Sequence, residues 1–500
     1  MREDQKSNSP TSTKAGHFRP SLVLALIISA QFMVMIDFAI VQVALPSIGR
    51  EFDVSINGLQ WVVTTYGLTL AGFLMLSGRM GDIYGHKKLF IIGILLFSLA
   101  SLIGGLAHSE TALILARAVQ GLGAAIASAT GLSILVTAFH EGKERNRALS
   151  IFAAASGSGF AAGMILGGVI TTTLGWRWVF DINVPIGVVG SLLSIKFISS
   201  TSRGRTLESK NKHLDIFGAV SVTAGLILLV YSLSVAQNIG IRSIETFELL
   251  LLSTIILAAF LLIEYRSKAP LMPLRFLRRG SIIGANAVCL LQVGPFVGMT
   301  FILTNYLQQV RGYSAFSAAL AFVPMAVVFI TVSLALSTRF VNRFGVKPII
   351  ILGMILQTIG YLFLSGISLT ESYFGGLLGP MLLIGFGAGV SFTAINIAAL
   401  KGTMKGEEGL ASGLINTSRQ IGGPIGLAIL LTVANFGSSA PTSRVAVHSA
   451  TLTIIPDFSY AFFAAALLTL IGILFAVSLR QERHHQASVV LGAAQAVHQG

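Results

Sequence analysis

The chain has 500 residues, of which 54% are hydrophobic and 11% charged, and its formal net charge is +14. A soluble domain carries about 25% charged residues, so that composition and a mean hydropathy of +0.81 exclude a water-soluble globular enzyme. Apolar runs of roughly 20 residues recur from end to end, each long enough to cross a bilayer. They must be helical, because lipid cannot satisfy free backbone groups, and the short alternating segments of a β-barrel are absent. The expected fold class is an all-α polytopic membrane protein.

The excess of Lys and Arg does not point to nucleic acid, because the basic residues sit in short loops between spans. The single cysteine, Cys289, rules out an intramolecular disulfide framework or a cysteine-cluster metal site. No histidine grouping suggests a metal, and no cofactor is expected.

In chain order, spans are expected near 22–45, 58–77, 89–107, 112–138, 147–173 and 178–200, then 214–236 and 247–266, then 282–309, 315–338, 347–365, 374–398, 409–435 and 460–480. These are fourteen helices. The first follows a polar segment, 1–20, and is too long for a cleaved signal peptide. Basic residues cluster in the N-terminal segment and alternate loops: Arg2, Lys6, Lys14 and Arg19; Arg79, Lys87 and Lys88; Lys143, Arg145 and Arg147; Arg203, Arg205, Lys210 and Lys212; Arg266, Lys268, Arg275, Arg278 and Arg279; Arg339, Arg343 and Lys347; Lys401 and Lys405; Arg480 and Arg483. The other loops hold only Arg50, Arg177, Arg242, Arg311 and Arg444. That asymmetry places both termini in the cytoplasm. A long outer loop is expected over Phe436–Ser459, and a disordered cytoplasmic tail over 481–500.

The first span, SLVLALIISAQFMVMIDFAIVQVAL, carries Asp37, the one carboxylate deep in any apolar stretch. A charge at such depth costs roughly 2.5–3.5 kcal/mol on insertion scales, and intramembrane acids are usually functional. Asp37 is therefore the first candidate for a proton site. An internal repeat follows: GRMGDIYGHKK (78–88) matches TRFVNRFGVKP (338–348), with Arg79, Gly85 and Lys87 falling on Arg339, Gly345 and Lys347. The same displacement brings the start of the first span onto 282. Two six-helix halves related in parallel, 21–200 and 282–480, follow from this. The linker 201–281 holds the two inserted helices.

These residues resemble the major facilitator superfamily, and within it the fourteen-span drug:proton antiporter family. GRMGDIYGHKK looks like the family's signature between spans 2 and 3. IDFAIVQVALPSI (36–48) resembles its first-span motif, with Ala39 and Gln42 where Thr and Asn are usual. LARAVQGLGAA (115–125) resembles the fourth-span motif, and WRWVFDINVPIG (176–187) and GLINTSRQIGGPIGLA (413–428) are typical of the group. The fifth-span antiporter motif departs from the pattern: GFAAGMILGG (159–168) has Met164 where Pro is usual. Pro424 falls at the matching position of span 13, which is therefore expected to carry the deformation that span 5 lacks.

The resemblance implies that spans 1 and 4 are neighbours. Asp37 lies roughly 12 Å and Arg117 roughly 8 Å below the outer surface at 1.5 Å per residue, so the two charges can meet, with Gln120 one turn away. Burial favours a protonated acid and a nearby arginine an ionised one, so a change in their separation would load or release a proton. A static ion pair locking two helices is the alternative. Gly78, Arg79, Asp82, Gly85 and Lys87 read as a conformational latch at the cytoplasmic surface. Gly159, Gly163 and Gly167, with Gly168, offer a smooth face for close helix approach.

In span 13, Arg419 sits near the midplane beside Asn416 and Gln420, with no acid at its depth in spans 9–14. Helix carbonyls, Asn or Gln side chains, water or an anionic substrate group could meet it, in a structural or gating role or at the substrate. Asp181, at the outer start of span 6, reads as a solvated loop acid or a second cation site.

The expected function is proton-coupled efflux of amphiphilic, cationic drugs or toxic compounds across the cell membrane by alternating access. Small hydrophobic or cationic substrates and the lipid bilayer are the expected partners, and the carrier is expected to be a monomer with protons as its coupling ion. A dedicated exporter of one endogenous metabolite or antibiotic is the alternative, and a non-transporting membrane sensor a further one. No G-x-x-x-x-G-K-[ST] loop supports an ATP-driven pump.

Overall fold

The computed structural model describes residues 20–139, 143–198, 215–240, 243–267, 270, 280–367, 372–401, 408–437 and 458–479. The N-terminal segment, most of the expected outer loop and the C-terminal tail lie outside them. The helices are α1 (Pro20–Phe52), α2 (Ile56–Tyr84), α3 (His86–Gly105), α4 (Glu110–Ala138), α5 (Lys143–Thr173), α6 (Trp178–Asp181) and α7 (Asn183–Phe197). Next come α8 (Ile216–Ile239) and α9 (Ile244–Arg266). The remainder are α10 (Gly280–Asn305), α11 (Ala315–Thr331), α12 (Ser337–Phe344), α13 (Val346–Ser365), α14 (Leu378–Lys401), α15 (Glu408–Gly437) and α16 (Phe458–Ser478).

Serines mark several of the helix starts. Ser55, Ser109, Ser243 and Ser314 each accept a hydrogen bond from the backbone N–H three residues on, satisfying a donor that the first helical turn leaves free. Among the described residues, 12 helices are long and apolar enough to cross a membrane, with α6 and α7 together forming one of them. α5 and α15, 31 and 30 residues long, are not among those twelve, although the sequence reading counts both.

Helices α1 to α7 pack on one another, as do α10 to α16, while α8 and α9 pair and α8 rests on both α2 and α15. The halves meet through α1 with α10, α5 with α11, and α2 with α15. Gln42 Oε1 accepts from Thr300 Oγ1 at 2.8 Å and Val43 O from Gln308 Nε2 at 2.9 Å. Phe316 N donates to Thr172 Oγ1 at 3.2 Å. All three bonds lie toward the end of the bundle whose loops carry few charges.

The expected loop GRMGDIYGHKK is instead almost wholly helical. α2 runs to Tyr84 and α3 starts at His86, so a single residue, Gly85 at φ 97°, makes the turn. Glycine alone takes that conformation without strain, and the Gly85 N–H closes on Gly81 O at 2.9 Å. Gly345 repeats the turn at φ 89° between α12 and α13. The repeat extends to long-range contacts. Lys87 Nζ donates to Ile195 O in the last turn of α7 at 2.9 Å, and Lys347 Nζ donates to Val477 O in the last turn of α16. In each half a lysine satisfies a terminal helix carbonyl.

Pro424, where span 13 is expected to deform, lies inside an unbroken α15. The helical register shifts in π turns at Tyr306–Val310, Val332–Leu336 and Tyr373–Leu377.

Candidate functional site

Asp37, Arg117 and Gln120 come together as expected, and they are closed off from solvent: Asp37 is 0% and Arg117 1% exposed. Arg117 Nη1 donates to Asp37 Oδ2 at 2.5 Å and to Gln120 Oε1 at 2.7 Å, and its Nε donates to Val62 O at 3.0 Å. Gln120 Nε2 donates to Asp37 Oδ1 at 2.7 Å. The one-turn spacing of Arg117 and Gln120 on α4 puts both on the face toward α1.

Three further residues, Asn183, Ser101 and Tyr66, complete the cluster. Asn183 Nδ2 donates to Asp37 Oδ1 at 2.9 Å and to Ser101 Oγ at 3.1 Å. Ser101 Oγ donates to Phe180 O at 2.8 Å and accepts from Gln120 Nε2 at 3.1 Å. The Tyr66 ring lies 4.0 Å from the Arg117 guanidinium carbon, a cation–π contact. Asn183 reaches inward because span 6 breaks at Ile182 into α6 and α7. Pro185, having no N–H, cannot bond the carbonyl of Asp181, so the helix restarts there. Two polar atoms at the rim, Arg117 Nη2 and Asn183 Oδ1, are buried and have no partner among the described residues.

The glycines of α5 pack where the sequence places them, on α1 around the acid. A Cβ on Gly163 would fall 2.6 Å from Ile36 O and 2.8 Å from Ala39 Cβ; one on Gly167 would fall 2.9 Å from Ile40 O. Gly159 faces Phe32 and Met35. Gly168 looks the other way, onto Ala315, Phe316 and Ala319 of α11, so it belongs to the seam between the halves. Met164, in the place of the usual proline, is buried within this packing.

At the opposite end, Asp82 is exposed and faces His86 Nε2 at 3.3 Å. Gly81 lets His86 tuck beneath it, since a Cβ there would strike the ring. Gly78 packs toward Ala129 of α4. Arg79 sits one turn before Asp82 on α2. Lys87 and Asp82 meet Ile195 O and His86, both within the first half.

Asp181 differs from a solvated loop acid: it is half-buried against Gly105, and its Oδ1 is buried without a partner among the described residues. Arg177, rather than Asp181, makes the outer ion pair, to Glu51 Oε1 at 2.5 Å, with Trp176 Nε1 on Glu51 Oε2 at 2.5 Å.

Arg419 Nη2 donates to Asn396 Oδ1 at 3.0 Å, and its guanidinium carbon lies 4.4 Å from the Phe392 ring centre. Asn416 and Gln420 are half-buried beside it on α15.

Comparison with known proteins agrees with this architecture. The model for the Major Facilitator Superfamily matches residues 27–427. The cephamycin export protein of Amycolatopsis lactamdurans is 38% identical over 446 residues, covering 88% of this chain and 90% of that protein. The puromycin resistance protein of Streptomyces alboniger is 32% identical, covering 90% and 88%. Among solved structures, a peptide transporter in complex with sulfate superposes with a TM-score of 0.64 at 16% identity, covering 93% of this chain and 96% of that one. The nucleoside transporter NupG superposes with a TM-score of 0.61 at 10% identity, covering 93% and 100%.

Proposed function

The chain belongs to the Major Facilitator Superfamily and is a multi-pass membrane transporter, and we propose that it exports small, amphiphilic, drug-like compounds in exchange for protons. The observation that carries this reading is the fully enclosed Asp37, which shares its two oxygens among Arg117, Gln120 and Asn183. An ionised acid and a guanidinium so buried hold each other in place; separated, the carboxylate would be left in apolar surroundings and would take up a proton. The donors and acceptors already crowded around Arg117, together with its unpaired Nη2, offer the arginine other bonds once the acid is neutral. Proton arrival at Asp37 would thus release α1 from α4, and proton departure would re-form the cluster.

In this reading α5 and α15 cross the membrane with the other twelve helices, giving fourteen spans. The Lys/Arg-rich loops and both termini face the cytoplasm of the cell membrane. The short segment around Gly81 and Asp82 steadies one state. Phe160, 6.4 Å from Phe38 and 5.9 Å from Phe296, forms an aromatic run from one half to the other that suits a flat apolar body. A preference for cations would rest on those ring faces alone, since Asp37 is enclosed. A dedicated exporter of one antibiotic is the second reading, supported by the similarity to a cephamycin export protein.

Ethidium uptake into inside-out vesicles under an imposed pH gradient tests the reading. Wild-type uptake should follow the gradient and Asp37→Asn uptake should not. Uptake by the variant that still tracks the gradient would remove Asp37 from the coupling step.

A further inference from the structure

Among the described residues Arg419 is a cation without a counter-ion. It makes no ion pair among the described residues, its Nε is buried without a hydrogen-bond partner there, and α10, α11, α13, α14 and α16 contain no Asp or Glu. A charge near the bilayer midplane in that condition is costly, and the side chains around it answer only part of its donor capacity: Asn396 accepts one bond, the Cys289 sulfur lies beside it and Phe392 offers a ring face. The Nε–H is left over in a planar fork whose geometry fits a carboxylate.

The direction of the side chain follows from its neighbours on α15. Gly422 and Gly426 lie against the α10 backbone at Leu290 and Gly294. Pro424 and Gln420 lie against Gly67 of α2. At about 100° per residue, Arg419 and Asn416 point between those two contacts, into the space between the halves, and Arg419 reaches over to α14. A Cβ on Gly413, two turns toward the basic end, would meet nothing within 4 Å. The bonds between α1 and α10 and between α5 and α11 close the opposite end.

We propose that Arg419, flanked by Asn416 and the Phe392 ring, binds the carboxylate of an amphiphilic monoanion, and that the exported compounds therefore include acids of this kind beside flat apolar dyes. This rests on the export reading and sets the substrate's charge within it. The anion supplies the missing counter-charge, and the Phe392 ring, edge-on to Phe329, takes the apolar body. Asp37 remains the proton site, so that the ion pair for the substrate and the ion pair for the proton sit on different helices, α15 and α4.

The test uses the full-length protein in detergent and two fluorescent probes of the same shape: dansyl-phenylalanine, a carboxylate, and dansyl-phenylalanine amide, which is neutral. Fluorescence anisotropy should show the wild type binding the carboxylate about tenfold more tightly than the amide, as a charge-assisted bond implies. Arg419→Gln should bind the two equally, and Arg419→Lys should keep part of the preference. Equal binding or no binding of the two by the wild type, or a preserved preference in Arg419→Gln with a normal size-exclusion profile, overturns the proposal. Vesicle transport of ethidium separates the two ideas: if the wild type shows no gradient-driven movement of dye or of the carboxylate, the export reading fails, whatever the binding experiment gives.

Discussion

Asn183 donates to Asp37 Oδ1 across 2.9 Å, so the break in the sixth span is fastened to the buried acid of the first. That bond turns an ion pair between α1 and α4 into a three-helix junction. It also caps one side of a carboxylate whose other oxygen belongs to Arg117. Removing the donor leaves Asp37 Oδ1 to Gln120 alone and loosens the junction. Asn183→Leu is expected to slow gradient-driven transport and to lower the unfolding temperature, in line with the roughly 1–3 kcal/mol cost of stripping a buried polar group of its partner. Transport rate, with a thermal melt of the same preparation, checks both, and a wild-type rate would count against the coupling role of the junction.

The close approach of α5 to α1 depends on Gly163, where an added Cβ would sit 2.6 Å from Ile36 O. Backbone cannot yield as a flexible side chain can. Gly163→Val should destabilise by about 1–3 kcal/mol, the usual cost of overpacking, and should disturb Asp37, whose helix would be pushed aside. Gly190→Ala, with nothing within 4 Å of the new Cβ, is the neutral comparison. Melting temperatures of the two variants measured side by side should differ clearly, and equal values would mean that the α1–α5 face is looser than described.

Gln42 stands where the family motif has Asn, and its extra methylene lets Oε1 reach Thr300 of the other half at 2.8 Å. This bond helps to hold the sparsely charged end shut. Thr300→Val is expected to open that end more often, with a cost to the closed state of about 0.5–1.5 kcal/mol. Spin labels at His108 and Ser317 should report a larger long-distance fraction in the variant. An unchanged distance distribution would show that the α5–α11 seam holds the end closed by itself.

Sequence revealed what is expensive and missed what is cheap. Asp37 and Arg117 stand out because ionised groups are rare in apolar runs, and Gln120 follows from being one turn from Arg117. Ser101, Tyr66 and Asn183 carry no such mark: neutral polar residues are common in spans, and nothing in the periodicity separates a hydroxyl that completes a junction from one that bonds its own helix, as Thr130 does with Ile126 O. Pro185 is the signal that could have found Asn183, since a proline that denies the carbonyl of Asp181 its partner marks where span 6 breaks. In the fold, the repeat from 78–88 to 338–348 was visible in sequence, and the turns at Gly85 and Gly345 match it. The length of α2 was misjudged because Arg79 and Asp82 end the apolar run without ending the helix. The π turns of the second half left no mark at all, because register shifts depend on packing rather than on residue type.

Proton movement on substrate addition tests the central claim most directly. The protein would be reconstituted in liposomes containing a pH-sensitive dye, with no gradient imposed, and ethidium added outside. The wild type should move protons as ethidium crosses, and Asp37→Asn should move none while still letting ethidium equilibrate. Proton movement of wild-type size through Asp37→Asn would contradict the account.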